Sequence, residues 1–176
     1  MTIAFGVFTI MKKLTVKNVI ISKQIKDSEN YKEFLKIVKE KNINVILVQT
    51  GDKIKIDNDS YFEIIWPEKE QITENVLNNN SLVAKFICNN LKMLFTGDIE
   101  EIAEKYIIKK YPQKLKADII KIAHHGSKTS STQEFLELVS PKFALIGVGE
   151  KNTFGHPNNA VISRLTQLRC RSAQNR

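Results

Sequence analysis

Cysteine is scarce in this 176-residue chain: Cys88 and Cys170 are the only two, far apart and matching no metal-ligand spacing. That excludes a disulfide scaffold and is compatible with a reducing compartment. Histidine is scarce too, with three residues and none before His124. Long hydrophobic runs are missing: Val45–Val48 and Phe143–Val148 fall far short of the roughly 20 apolar residues a membrane-spanning helix needs. The apolar start, MTIAFGVFTIMKK, places its charges after the apolar run and offers no small-residue cleavage site. It therefore reads as core helix or strand rather than as a secretory signal. No internal repeat of solenoid length is visible. With 42% hydrophobic residues, the chain has enough apolar material for one domain with a buried core.

The formal charge is +8, unevenly spread: 13 basic and 11 acidic residues from Met1 to Cys88, against 14 and 8 from Asn89 to Arg176. The more basic half holds all the histidines. The bias favours a phosphate-bearing or otherwise anionic partner; a solvated lysine-rich surface is the plain alternative.

Periodicity predicts a helix over Ile3–Lys13 and a strand over Val16–Ser22. A helix capped by Asp27 or Ser28 should bury Tyr31, Phe34, Leu35 and Val38. Val45–Val48 reads as a buried strand, followed by half-exposed Lys53–Ile56 and by Tyr61–Trp66, which Pro67 stops; three strands in quick succession predict a meander. Leu82–Cys88 and Leu91–Thr96 flank Asn89-Asn90, a type I′ hairpin signal. Then come a helix from Ile99 to about Lys110, with Ile102, Ala103, Tyr106 and Ile107 on one stripe, and a strand over Asp118–Ala123. A capping box at Ser131–Glu134 opens the next helix. Phe143–Val148 predicts a further buried strand, and Pro157 the first residue of a last helix.

Three short motifs share one position, just after a predicted strand and before a helix: Thr96-Gly97-Asp98, His124-His125-Gly126-Ser127 and Gly155-His156-Pro157. Strand ends of this kind are where sites tend to be assembled. Asp98-x-x-Glu101 is also a capping box, so Asp98 has a structural reading beside that of a ligand. Together with the histidines it makes a nitrogen–oxygen site of the zinc or manganese kind. Consecutive side chains on a strand alternate sides, so His125, nearer the open end, is the expected ligand and His124 an orienting or substrate contact. Ser127, Lys128, Thr129 and Ser130, with free amides at a helix start, suit a phosphate oxygen; a solvated loop is the alternative. For His156 the roles of ligand, proton donor and cap stay open.

In order and spacing, Asn80 to Val83, Met93 to Glu100 (MLFTGDIE), Ala117-Asp118 through HHGSKTSS, Ser140-Pro141-Lys142, and Val148-Gly149 with Asn152 and Gly155-His156-Pro157 resemble the metallo-β-lactamase-fold domain of the ComEC competence proteins and their soluble relatives. Gly51–Ile54 and Trp66-Pro67 look like the family's middle strands. The resemblance implies an α/β (α+β) fold, here an incomplete αββα sandwich over residues 1–168. The polar, basic 169–176 tail is expected to be disordered. The resemblance also implies a metal-dependent hydrolase with Asp98 and His125 as metal-site and catalytic residues; the residue chemistry above puts His124, Ser127, Lys128, Thr129, Ser130 and His156 on the substrate side. A metal-held hydroxide would attack a phosphodiester, for the ComEC type DNA during uptake.

One departure governs the expected activity. The family's principal metal motif, HxHxDH, should precede the Ile3–Ser22 elements, and no histidine lies there. The chain thus resembles roughly the C-terminal two-thirds of such a domain. Asp98, His125 and His156 supply at most three ligands, so weak binding of zinc or manganese and little hydrolysis are expected. The alternatives are a non-catalytic remnant or a basic nucleic-acid-binding module. A sheet edge left open would invite self-association, and the parent protein could be membrane-bound.

Overall fold

The computed structural model describes residues 2–23, 28–149 and 152–175. Where the sequence predicts one domain, the chain separates into two units, 1–48 and 49–176.

The first unit is helix–strand–helix–strand: α1 (Thr2–Lys13), β1 (Asn18–Ser22), α2 (Glu29–Glu40) and β2 (Asn44–Val48). Ser28 caps α2 by accepting the Tyr31 N–H at 3.2 Å; the other candidate cap, Asp27, lies outside the described residues. The buried side chains are Met11, Ile37 and Ile43, with Phe8, Val19, Phe34 and Val38 packed around them. The predicted stripe on α2 is therefore shifted: Ile37 is buried, whereas Leu35 is exposed. β2 runs parallel to β1 in a two-stranded sheet, so it takes no part in the predicted meander. It is also not a buried strand, since Leu47 is 59% exposed and only Val48 is buried. Among the described residues each of these strands has one strand partner.

The second unit is built on a seven-stranded sheet whose order follows the chain: β3 (Lys53–Lys55), β4 (Ser60–Trp66), β5 (Val83–Cys88), β6 (Leu91–Phe95), β7 (Ile119–Lys121), β8 (Phe143–Gly147) and β9 (Arg171–Asn175). β3 to β6 pair antiparallel, β3–β4 and β5–β6 through short turns and β4–β5 through the longer 67–82 connection. β6 to β9 are parallel, because α4 (Glu101–Lys110), α5 (Gln133–Val139) and α6 (Asn159–Gln167) form the crossovers that parallel pairing requires. The architecture is mixed α and β. A short α3 (Val76–Asn79) lies in the predicted loop before β5.

Leu94, Ile120, Ala144 and Ile146 share one core with Ala103, Ile107, Phe135, Leu136, Val161 and Leu165 of the helices. β8 alternates instead of being buried throughout: Ala144 and Ile146 are covered while Phe143 is 45% exposed, the pattern of a strand with one face against the core. Only Asn89 of the hairpin pair takes a positive φ, 51°, so the turn is not the type I′ predicted, which requires two. Residues 171–175, predicted as disordered tail, form β9 on β8. Backbone pairing needs no apolar side chains, which is why composition hid this strand. The last helix is capped by the Asn158 side chain on the Ala160 N–H at 3.0 Å, not started by Pro157.

Candidate metal and phosphate site

The parallel register aligns Met93 of β6 with Ile119 of β7, and Ile119 with Phe143 of β8. All three strands therefore end on one side, and the three sequence motifs follow from those ends. The Gly97 carbonyl accepts the His124 N–H at 3.1 Å, joining the first motif to the second. The Thr96 hydroxyl, fully buried, donates to the Lys121 carbonyl at 2.5 Å. The Gly126 carbonyl accepts the Asn158 N–H at 2.8 Å, joining the second motif to the third.

The histidines do not leave an extended strand, as predicted. Ala123–Gly126 is a 3₁₀ turn in which His124 and His125 both take left-handed backbone, φ 47° and 56°. Strand alternation therefore does not assign their directions; hydrogen bonds do. Nδ1 of His125 lies 2.5 Å from the Gly147 carbonyl oxygen, which only accepts, so Nδ1 carries a proton and, in the neutral ring, Nε2 keeps the lone pair. Nε2 stands 3.8 Å from Oδ1 of Asp98, too far for a hydrogen bond, and both side chains are about one-third exposed, 33% and 35%. Two acceptors at that separation can share a cation, because two bonds of roughly 2.0–2.2 Å span it. A carbonyl holding the far nitrogen is the usual way a ligating imidazole is oriented.

Asp98 is not a helix cap: the N-cap of α4 is Glu100, which makes no side-chain capping bond. Glu100 instead accepts from Asn75 at 2.7 Å and from the Thr129 hydroxyl at 3.1 Å, and its carboxylate lies 3.5 Å from His124 Nδ1. His124 Nδ1 and His156 Nδ1 are buried without hydrogen-bond partners among the described residues. Their rings lie 6.1 Å apart. Burial lowers the His156 pKa, and the nearby His124 and His125 lower it further. Asn152 brackets its backbone, accepting the His156 N–H at 2.8 Å and donating to its carbonyl at 2.9 Å.

The phosphate-side expectations divide. Lys128 and Thr129 are exposed. Ser127 is nearly buried, its hydroxyl 3.0 Å from that of Thr129. Ser130 cannot be a substrate contact as it stands: it is fully buried and its hydroxyl faces the Ala123 and Ser127 carbonyls, each at 3.0 Å. The helix-start amides are also engaged. Glu104, fully buried on α4, accepts the Ser131 N–H at 2.5 Å and the Thr132 N–H at 2.8 Å. Arg164 of α6 donates to the Ser130 and Ser131 carbonyls at 3.0 Å each.

Sequence reasoning missed Glu100, Glu104 and Lys121. Burial lowers the Lys121 pKa while the Asp98 charge opposes the shift, which puts a partly desolvated ammonium beside the candidate ligand. The alternation of Lys121 with buried Ile120 and Ile122 was the available signal. Among the described residues, no group of three or more His, Cys, Asp or Glu side chains could hold a metal ion. Asp98 and His125 thus fit a cation as two of its ligands and do not complete its coordination.

No family model matches this chain. It is similar to ComE operon protein 3 of Bacillus subtilis, 31% identical over 156 residues, which is 89% of this chain and 20% of that protein. It is also similar to the competence protein ComA of Neisseria gonorrhoeae, 34% identical over 105 residues, 59% of this chain and 15% of that protein. The chain thus spans about a fifth or less of the curated relatives it matches. Among solved structures, a Parabacteroides distasonis protein designated, by inference, a metal-dependent hydrolase matches with a TM-score of 0.53 at 12% identity, over 94% of this chain and 79% of that one. At that identity the match establishes a shared fold.

Proposed function

We propose that this chain carries part of a ComEC-like, metal-dependent phosphodiesterase site, in which Asp98 and His125 hold a divalent metal, zinc or manganese, as two of its ligands. The observation that carries this reading is the His125 geometry: Nδ1 tied to Gly147 and Nε2 left as a lone pair 3.8 Å from Asp98. Such a cation supplies Lewis-acid polarisation of a phosphodiester. His124, His156, Lys128 and Thr129 form the substrate side, and the competence proteins similar to this chain make DNA the substrate to test first. A catalytic zinc takes about three protein ligands; with two, the chain alone should bind metal weakly and hydrolyse little. The basic excess of the chain, a formal charge of +8, favours a second reading, a nucleic-acid-binding module without catalysis.

Calorimetric titration of the purified chain with Zn²⁺ and Mn²⁺, beside a single-stranded DNA cleavage assay, tests both. The expected result is weak one-site binding, lost in Asp98→Ala and in His125→Ala, with cleavage near background. Metal binding indifferent to both substitutions would overturn the proposed site. Rapid metal-dependent cleavage that Asp98→Ala abolishes would overturn the inactive, module-like reading.

A further inference from the structure

At the opposite end of the parallel strands lies a concavity of about 800 Å³ that none of the three motifs touches. The residues where β6 to β9 begin are linked across the sheet: Asp118 N–H donates to the Lys92 carbonyl at 2.8 Å, Lys142 N–H to the Asp118 carbonyl at 2.8 Å, and Arg171 N–H to the Lys142 carbonyl at 3.0 Å. Lys92, Lys142 and Arg171 therefore stand at the starts of the first, third and fourth of these strands, with Asp118 on the second, and at a strand spacing of about 4.8 Å the row spans roughly 14 Å. Lys116 and Arg169 enlarge the basic lining. Asp118 is the one carboxylate among the lining residues, and it is engaged by the Lys142 ammonium at 3.0 Å and the Lys92 N–H at 3.1 Å. Lys142 holds its pKa below the ordinary value, so it stays ionised. Against it stand five cations, so the concavity carries a net positive charge on rigid strand starts.

Among these cations stands an exposed aromatic ring, Phe143, at 45% exposure. A cationic groove with an accessible ring is the combination that binds unpaired nucleotides, phosphates on the cations and a base on the ring. A duplex keeps its bases stacked inside and cannot use the ring. We infer that this basic concavity at the strand starts is a docking surface for single-stranded nucleic acid, separate from the Asp98–His125 site.

Fluorescence anisotropy with the full chain and labelled 12-nucleotide DNA, RNA and duplex DNA probes tests this, with EDTA present throughout so that the proposed metal site cannot contribute. Single strands are expected to bind more tightly than the duplex, with affinity falling as salt rises. Lys92→Glu/Arg171→Glu should weaken binding at least tenfold and flatten the salt slope by about 1.4, the value for two phosphate contacts on a single strand. Phe143→Ala should weaken single-strand binding by roughly fivefold or more and leave the salt slope unchanged. Should the first double variant fail to fold, Lys116→Glu/Arg169→Glu makes the same demand on exposed positions. Comparison of the DNA and RNA arms shows which single strand is preferred. Unchanged affinity and slope in a folded charge-reversal variant would overturn the inference, as would binding to duplex and single strands alike with Phe143→Ala silent. EDTA-insensitive binding alongside absent metal binding would sink the metal proposal alone.

Discussion

Replacing Gly126 by alanine is expected to lower the stability of the chain by about 2–5 kcal/mol, by loosening the joint between the histidine turn and the His156 loop. Gly126 has φ +81°, and a Cβ placed there would stand 2.7 Å from Pro157 Cβ and 3.1 Å from its Cα. The left-handed backbone alone costs an alanine about 1–2 kcal/mol. Displacing the half-buried Pro157 adds about 1–3 kcal/mol. Gly51 is the control: it too has a positive φ, +96°, but a Cβ there meets nothing within 4 Å. Gly51→Ala should therefore cost only the backbone term. Thermal unfolding of both variants checks the difference, and equal losses would show that the contact with Pro157 does not matter.

Glu104→Ala is expected to destabilise by about 2–6 kcal/mol, since it strands the Ser131 and Thr132 N–H groups in the interior at about 1–3 kcal/mol each. Arg164 would meanwhile keep only its carbonyl contacts. The effect should depend on pH in a defined direction. Burial raises the Glu104 pKa above 4.5, opposed by the hydrogen bonds from Thr132 and Ser131 and by the Arg164 charge. The folded chain then holds this proton more tightly than the unfolded one, so the contribution is complete below 4.5 and declines as pH rises towards the folded value. The margin of the native chain over Glu104→Ala should therefore shrink with increasing pH. Denaturant titrations across the acid-to-neutral range measure this, and a margin that grows with pH would contradict the assignment.

Much of the second unit was legible because its strands are short, apolar and bounded by turn residues. The three motifs could be placed between strand ends and helix starts, and the parallel pairing of β6, β7 and β8 then sets them on one side of the sheet. What escaped the sequence were features set by tertiary partners. The left-handed pair at His124 and His125 depends on backbone bonds to Gly97 and the side-chain contact with Gly147. Burial of Glu104 cannot be read from its helix, because the reason is a loop about 27 residues away that needs acceptors. β9 lies in a polar stretch whose ordering comes from main-chain pairing with β8. In the first unit, the exposure of Leu47 and Leu35 shows that apolar content alone does not say which face is covered. The motifs pointed to Asp98 and His125 as candidate ligands, and the geometry corrected Ser130 from phosphate contact to buried brace.

The most direct measurement of the central account is nitrogen-detected NMR of the imidazoles during a Zn²⁺ titration, practical because the chain has only three histidines. The account predicts that His125 is protonated on Nδ1 before metal is added and that its Nε2 resonance shifts on titration, with the shift abolished in Asp98→Ala. A His125 protonated on Nε2, or an Nε2 resonance that zinc leaves unmoved, would contradict it.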